Sequence, residues 1–329
     1  MSAPNVLVTG GTGFIGSHTV EELLRRSFNV RCIVRPGRKD PGWLKGLRVE
    51  AVEANLADPA SLLPLLDDVT HVIHVAGVTK AKTKLDYARG NVLTTEALLK
   101  ACAQKKSIEK FCYVSSLTVV GPSLDGKPVD ESTPCRPLTA YAKSKLDAES
   151  VCRKYSASFP LVIIRPPTVY GPRDRDTFEM FRWVSYGIRP VIGSGEKALS
   201  LVHAADLARG IVDATISAKT QGETYFVADP VIYPFASLIS MLSELEGKRT
   251  FPVRFPKPLL YAVAGIVEAV SLLGPVPAVL SVDKARDLLQ THWICSPRKI
   301  REHLGFATNI PAEKGFRTTF DWYKDKGWL

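Results

Sequence analysis

The chain lacks most marks of a disulfide-stapled, metal-bound or membrane-spanning protein. Its six cysteines, Cys32, Cys102, Cys112, Cys135, Cys152 and Cys295, are scattered with no C-x-x-C pair, which argues against a disulfide framework or a redox pair. The six histidines form no i, i+4 pair and no cluster with cysteine, so no metal site is expected. No signal peptide precedes the apolar run that starts at Asn5, and together with the scattered thiols this reads as a cytoplasmic location. The net charge of +10 holds no basic block and no basic helix with interleaved aromatics. It therefore reads as a solvated surface with no nucleic-acid partner, part of which can serve a phosphorylated cofactor.

Long apolar runs are also missing. The nearest is 258–282, whose single charge is Glu268. Glu268, Gly274, Pro275 and Pro277 argue against a span, which needs about 20 uninterrupted apolar residues. The stretch reads first as a core helix and loop, next as a lid on an apolar substrate pocket, and last as a membrane contact lying in the interface. No repeat or low-complexity linker divides the 329 residues, so domains are expected to interleave.

What is present begins with Val6-Leu-Val-Thr-Gly-Gly-Thr-Gly-Phe-Ile-Gly16. A short β-branched run over 5–9 leads into glycines, and Ile15, Val20, Leu23 and Leu24 then follow at helical spacing. Gly10 lets the chain turn, Gly13 clears space for a pyrophosphate, and Gly16 lets the helix pack closely on the sheet. Free N–H groups and the positive helix end would face the phosphates. Thr12, Phe14 and Ile15 are counted with the glycines as cofactor contacts.

Further apolar runs at 29–34, 49–53, 71–75, 110–115 and 161–165 alternate with helical patterns at 15–27, 59–67, 84–105 and 139–158. This alternation predicts a parallel sheet covered by helices on both faces. Beyond about Gly171 the pattern loosens. A strand-rich connection over 190–206, a helix over 205–218 capped by Asp206 and a strand over 224–228 returning to the sheet are expected, with helices and loops from Val231 onward.

Three features fall at the predicted strand ends. Ser115 and Ser116 close one strand, His74-Val-Ala-Gly77 ends another, and Tyr141 and Lys145 share one face of the helix that follows. An ammonium near a phenol stabilises the phenolate and suits tyrosine to acid/base work, while a serine hydroxyl can bond a substrate oxygen. At the end of the second strand Val34 stands where an acidic residue would hold the ribose hydroxyls. Arg35, Arg38 and Lys39 follow, able to clasp a 2′-phosphate. NADP(H) is expected, with NAD(H) second.

These motifs, with Asn91 and Arg165-Pro-Pro-Thr-Val-Tyr-Gly-Pro172, resemble the extended short-chain dehydrogenase/reductase family from Val6 to about Asp206. The resemblance implies an α/β fold: a Rossmann-type doubly wound parallel sheet over 1–170, with 200–230 returning to it, and a smaller, mostly helical substrate domain from 171–199 and 231–329. It implies Ser116, Tyr141, Lys145 and Asn91 as catalytic residues, with Ser115 the neighbouring alternative to Ser116. Lys145 would bind the nicotinamide ribose and tune Tyr141, and a plain buried or helix-capping role stays open for Asn91. Asn55 and Leu56 would flank the adenine. Val75, Ala76 and Gly77 would line the cofactor, with Pro166 and Pro167 near the nicotinamide.

Leu117-Thr118 replaces the Asp-Glu pair of the family's dehydratases. Thr168 and Leu199 stand where its nucleotide-sugar epimerases carry the asparagine and arginine that hold a diphosphate. The resemblance is therefore closer to the hydroxysteroid dehydrogenase and dihydroflavonol reductase branch, and implies oxidoreduction of an apolar alcohol or ketone. A nucleotide-sugar epimerase and a non-catalytic NADP-binding regulator are the alternatives. The helices over 84–105 and 139–158 resemble those that pair in a family homodimer.

Overall fold

The computed structural model describes residues 5–37, 40–193 and 197–329. Arg38 and Lys39 lie outside them.

In chain order the first half comprises β1 (Asn5–Thr9), α1 (Phe14–Arg25), β2 (Asn29–Val34), β3 (Glu50–Glu53), α2 (Pro59–Leu62), β4 (His71–His74), α3 (Lys84–Tyr87), α4 (Thr94–Cys102), β5 (Lys110–Val114), α5 (Ala140–Lys154) and β6 (Leu161–Arg165). The second half adds β7 (Thr168–Tyr170), α6 (Phe178–Ser185), β8 (Ile188–Ile192), β9 (Ala198–His203), α7 (Ala204–Ile216), β10 (Glu223–Phe226), β11 (Ile232–Pro234), α8 (Phe235–Glu246), β12 (Phe251–Phe255), α9 (Lys257–Leu272), α10 (Val282–Leu288), β13 (His292–Trp293), α11 (Arg298–Leu304) and α12 (Ala312–Asp325).

Seven strands form one parallel sheet in the order β10-β6-β5-β4-β1-β2-β3. Alternate residues of a strand face opposite ways. Val6 and Val8 of β1 accordingly pack with α1 and α7 in one cluster, and Leu7 packs with α4 and α5 in the other. The chain winds from β1 toward β3 on one side and from β4 toward β10 on the other, so the strand order reverses between β1 and β4. A crevice opens at their carboxyl ends, where ligands bind in such sheets.

Several elements depart from the sequence reading. The helix expected over 59–67 is α2 followed by a 3-10 turn at Leu63–Leu66, because Pro64 supplies no N–H. The helix over 84–105 contains a π-helical turn at Ala88–Leu93 and ends at Cys102. Beyond Val231 the expected helices are joined by β11, β12 and β13; β11 and β13 flank β9 in a four-stranded sheet that β7 completes, and β12 pairs with β8. Asp206 does not cap α7: His203 does, accepting from the Ala205 N–H. Asp206 is a buried first-turn residue that accepts from the Asn309 and Ile310 N–H groups, fastening the carboxyl-terminal segment to the sheet.

Candidate active site

The turn after β1 is built on close approach. Gly10 has φ +74°, and a Cβ there would stand 2.7 Å from the Ala76 nitrogen. A Cβ on Gly16 would stand 2.1 Å from the Gly10 carbonyl oxygen, so Gly16 serves contact with the turn itself, where the sequence suggested contact with the sheet. Gly13, the N-cap of α1, is exposed, with no side-chain cap and no acidic residue in the first turn. This leaves a positive helix end open to an anion. Ile15 packs on the core and Phe14 lies edge-on to His18. The residues thus fit a dinucleotide pyrophosphate.

A hydrogen-bonded chain runs from this turn toward Asn91. The Thr95 hydroxyl donates to the Asn91 carbonyl, so its oxygen accepts from Nε2 of His74. Burial pushes the His74 pKa down to about 3 and keeps the ring neutral. Nδ1 is then the acceptor and Thr9 the donor, at 2.6 Å, while Thr9 Oγ1 accepts the Ala76 N–H. Sequence reasoning did not assign Thr9, His74 or Thr95 to this role. The polar pair Thr9 and His74 at two neighbouring, otherwise apolar strand ends was the available signal.

Asn91 lies in the π-helical turn, a distortion frequent at functional sites. Its Oδ1 accepts the Val78 N–H at 2.6 Å, and its Nδ2 donates to the Val78 carbonyl and to Ser144. Asn91 therefore clamps the loop after Gly77 to α5. A Cβ at Gly77 would stand 3.1 Å from Asn91 Oδ1 and 3.8 Å from Lys145 Nζ, so all three meet at one place.

Thr139 caps α5, and Tyr141 and Lys145 leave its first turns toward the same crevice. Ser116 Oγ accepts from both the N–H and the hydroxyl of Thr118, and Ser116 stands next to the Tyr141 phenol, where its hydroxyl favours the ionised form. Burial nevertheless pushes the Tyr141 pKa up to about 12, where the sequence suggested a lowered one. Lys145 is buried, donates to the Val114 carbonyl at 2.7 Å and stands 4.3 Å from the Tyr113 ring centroid; desolvation brings its pKa down to about 8. One turn on, buried Glu149 grips Arg165 through two hydrogen bonds of 2.9 and 2.7 Å, tying α5 to the end of β6. The Pro166 carbonyl accepts the Leu117 N–H, and Pro166 and Pro167 are buried. Ser115 is buried beside the Glu149 carboxylate, so Ser116 is the serine that meets Tyr141.

The other predicted residues stand apart, on the β2–β3 side. Arg35 is exposed after Val34 and forms no ion pair among the described residues. Glu53, at the end of β3, accepts the Gly37 N–H. The Asn55 side chain closes a local turn by accepting from the Ala57 N–H, and Leu56 packs at the edge of the core.

Residues 6–228 match the NAD dependent epimerase/dehydratase family. The chain belongs to this family. Its enzymes are oxidoreductases, epimerases and dehydratases of the extended short-chain dehydrogenase/reductase type. As a member, the chain is 29% identical to the ceramide reductase of Caulobacter vibrioides over 98% of its own length and 96% of the relative's. It is 27% identical to a Stigmatella aurantiaca ketoreductase of a farnesyl dihydroquinoline oxide, covering 94% of this chain and 93% of that one. A Bacillus cereus UDP-glucuronic acid 4-epimerase mutant, in complex with a UDP-4-deoxy-4-fluoro-glucuronic acid and NAD, superposes with TM-score 0.78 at 25% identity, over 98% and 99% of the two chains.

Proposed function

We propose that this family member is an NADP(H)-dependent oxidoreductase that interconverts a secondary alcohol and a ketone on a largely apolar substrate. The observation that carries the reading is the placement of Ser116 next to the Tyr141 phenol, with the buried Lys145 on the same helix face as Tyr141. When bound, the cofactor supplies or accepts the hydride. Ser116, whose two acceptor sites are filled by Thr118, has its own proton to give, which leaves the Tyr141 phenol proton free for a substrate oxygen. With its pKa near 12, Tyr141 holds that proton at neutral pH and gives it to the oxygen of a ketone as the carbon is reduced. Lys145 holds a positive charge on the same helix face and is the group to meet the nicotinamide ribose. Asn91 keeps the loop after Gly77 and α5 in register.

The two full-length relatives described above, a ceramide reductase and a ketoreductase of a farnesylated ring, support oxidoreduction of an apolar compound. Residues 1–170 with 200–230 are taken as the cofactor-binding unit, and 171–199 with 231–329 as the substrate-binding unit. A homodimer through the helical stretches 84–105 and 139–158 goes with this reading, and a monomeric mass by light scattering would remove it.

For the cofactor, exposed Arg35, in no ion pair among the described residues, favours a 2′-phosphate, and the Glu53 carboxylate near Gly37 works against it. Arg35→Ala is expected to weaken NADPH binding about tenfold, the value of one charge-assisted pair, and leave NADH binding unchanged. Unaltered NADPH affinity in that variant overturns the assignment. The second reading, nucleotide-sugar epimerisation, is supported by the UDP-sugar bound in the B. cereus neighbour. Thermal stabilisation by UDP or dTDP, with none from steroid-like or flavonoid-like ligands, would favour it.

A further inference from the structure

The most apolar helix among the described residues keeps most of its side chains out of the core. α9 packs on α10 through Leu260 and Ala264 against Ala285, and these are the buried members of that small cluster. Its other face carries Leu259, Val263, Ile266 and Val270, with Leu273 following, at alternating steps of four and three. All are exposed, Ile266 at 65% and Leu273 at 91%, and Val276 and Val279 continue the exposed apolar surface beyond the helix. A core helix would bury this stripe, so that sequence expectation does not hold for α9. No helix among the described residues is long and apolar enough to cross a membrane.

The segment that carries the stripe is rich in cations. Between 247 and 282 stand Lys248, Arg249, Arg254 and Lys257 against the single carboxylate of Glu268. All four cations are exposed, whereas Glu268 is turned inward and accepts the Val282 N–H. Two contacts put this hairpin over the Tyr141 end of the crevice. Asp283 of α10 accepts the Ala140 N–H next to Tyr141, and Lys82, in the loop after Gly77, donates to the Gly274 carbonyl.

We infer that α9 and the turn after it form a docking surface for an anionic lipid bilayer. The helix lies flat in the headgroup boundary, with Leu259, Ile266, Val270 and Leu273 entering the acyl edge and Lys248, Arg249, Arg254 and Lys257 meeting lipid phosphates. A second copy of the chain is the alternative occupant, and the same segment of that copy offers the cations no exposed carboxylate. Docking is independent of the chemistry proposed above.

The test is vesicle flotation of the full chain, with phosphatidylcholine vesicles that contain or lack phosphatidylglycerol, alongside light scattering. Wild type is expected to float with the phosphatidylglycerol vesicles and to be stripped by high salt. Ile266→Asp with Val270→Asp should cut binding by about tenfold or more. Arg254→Ala and Lys257→Ala should each cut it about fivefold. Tyr141→Phe should bind as wild type. Because the altered α9 side chains are exposed, an unchanged melting temperature checks that these variants fold. The inference is overturned if wild type stays unbound with both vesicles or if the aspartate variant floats like wild type. It is also overturned if the aspartate variant converts a dimer to monomers in protein that binds no vesicle, which would assign the stripe to a second copy.

Discussion

α5 and α9 are nearly equal in length and invert each other's chemistry. α5 is polar in sequence yet buries Lys145 and Glu149, whereas α9 is apolar yet exposes Ile266 and Val270. The difference shows that hydrophobicity alone does not decide which helix face is covered. Buried charge is costly and persists only with partners. On α5 those partners are the Val114 carbonyl for Lys145 and the Arg165 guanidinium for Glu149. An exposed apolar stripe marks an interaction surface.

The comparison can be broken at its functional end first. Tyr141→Phe should lower kcat about a thousandfold, within the range of general acid catalysis, and leave cofactor affinity unchanged; a variant retaining most of its turnover would take Tyr141 out of the chemistry. Glu149→Ala leaves Arg165 buried without a carboxylate and should cost about 3–5 kcal/mol, read from urea unfolding. A loss below about 1 kcal/mol, the size of an exposed pair, would show that the charges on α5 are not held as described.

Lys145 adds a pH dependence. Its folded pKa is lowered from 10.5 to about 8, so the buried ammonium weighs against folding below about pH 8. As pH rises from there toward 10.5, the unfolded chain still holds a proton that the folded lysine has released, and this contribution turns toward stability. The unfolding free energy of wild type should therefore gain on that of Lys145→Met across this window. In turnover, loss of the ammonium should lower ketone reduction above about pH 8, while Tyr141 stays protonated to about 12. The smallest effect belongs to α9: Ile266→Ser should change stability by less than about 0.5 kcal/mol, whereas Ala264→Asp on its buried face should destabilise by more than about 2 kcal/mol.

How much of this was legible follows from how local each signal is. The strands over 5–9, 29–34 and 161–165 were read to the residue, because a parallel strand buried on both faces is a continuous apolar run bounded by turns. Gly10, Ser116, Tyr141 and Lys145 converge because each sits at a strand end or first helical turn, where sequence spacing fixes position. The His74 chain was not legible, since its members come from three separate segments: Thr9 on β1, His74 on β4, and Asn91 with Thr95 on the helical stretch 88–102. The raised Tyr141 pKa was missed because burial outweighs the opposing influence of Ser116. For 258–282, periodicity located a helix but could not tell which of its apolar faces the rest of the chain would cover.

Net cofactor turnover most directly tests the central claim that Tyr141 delivers a proton to a ketone as its carbon is reduced. Purified protein should consume NADPH steadily in the presence of an apolar ring or long-chain ketone, forming alcohol in equal amount, and Tyr141→Phe should abolish this. Inversion of a nucleotide sugar with no net change in the cofactor, and no consumption with any apolar ketone, would contradict it.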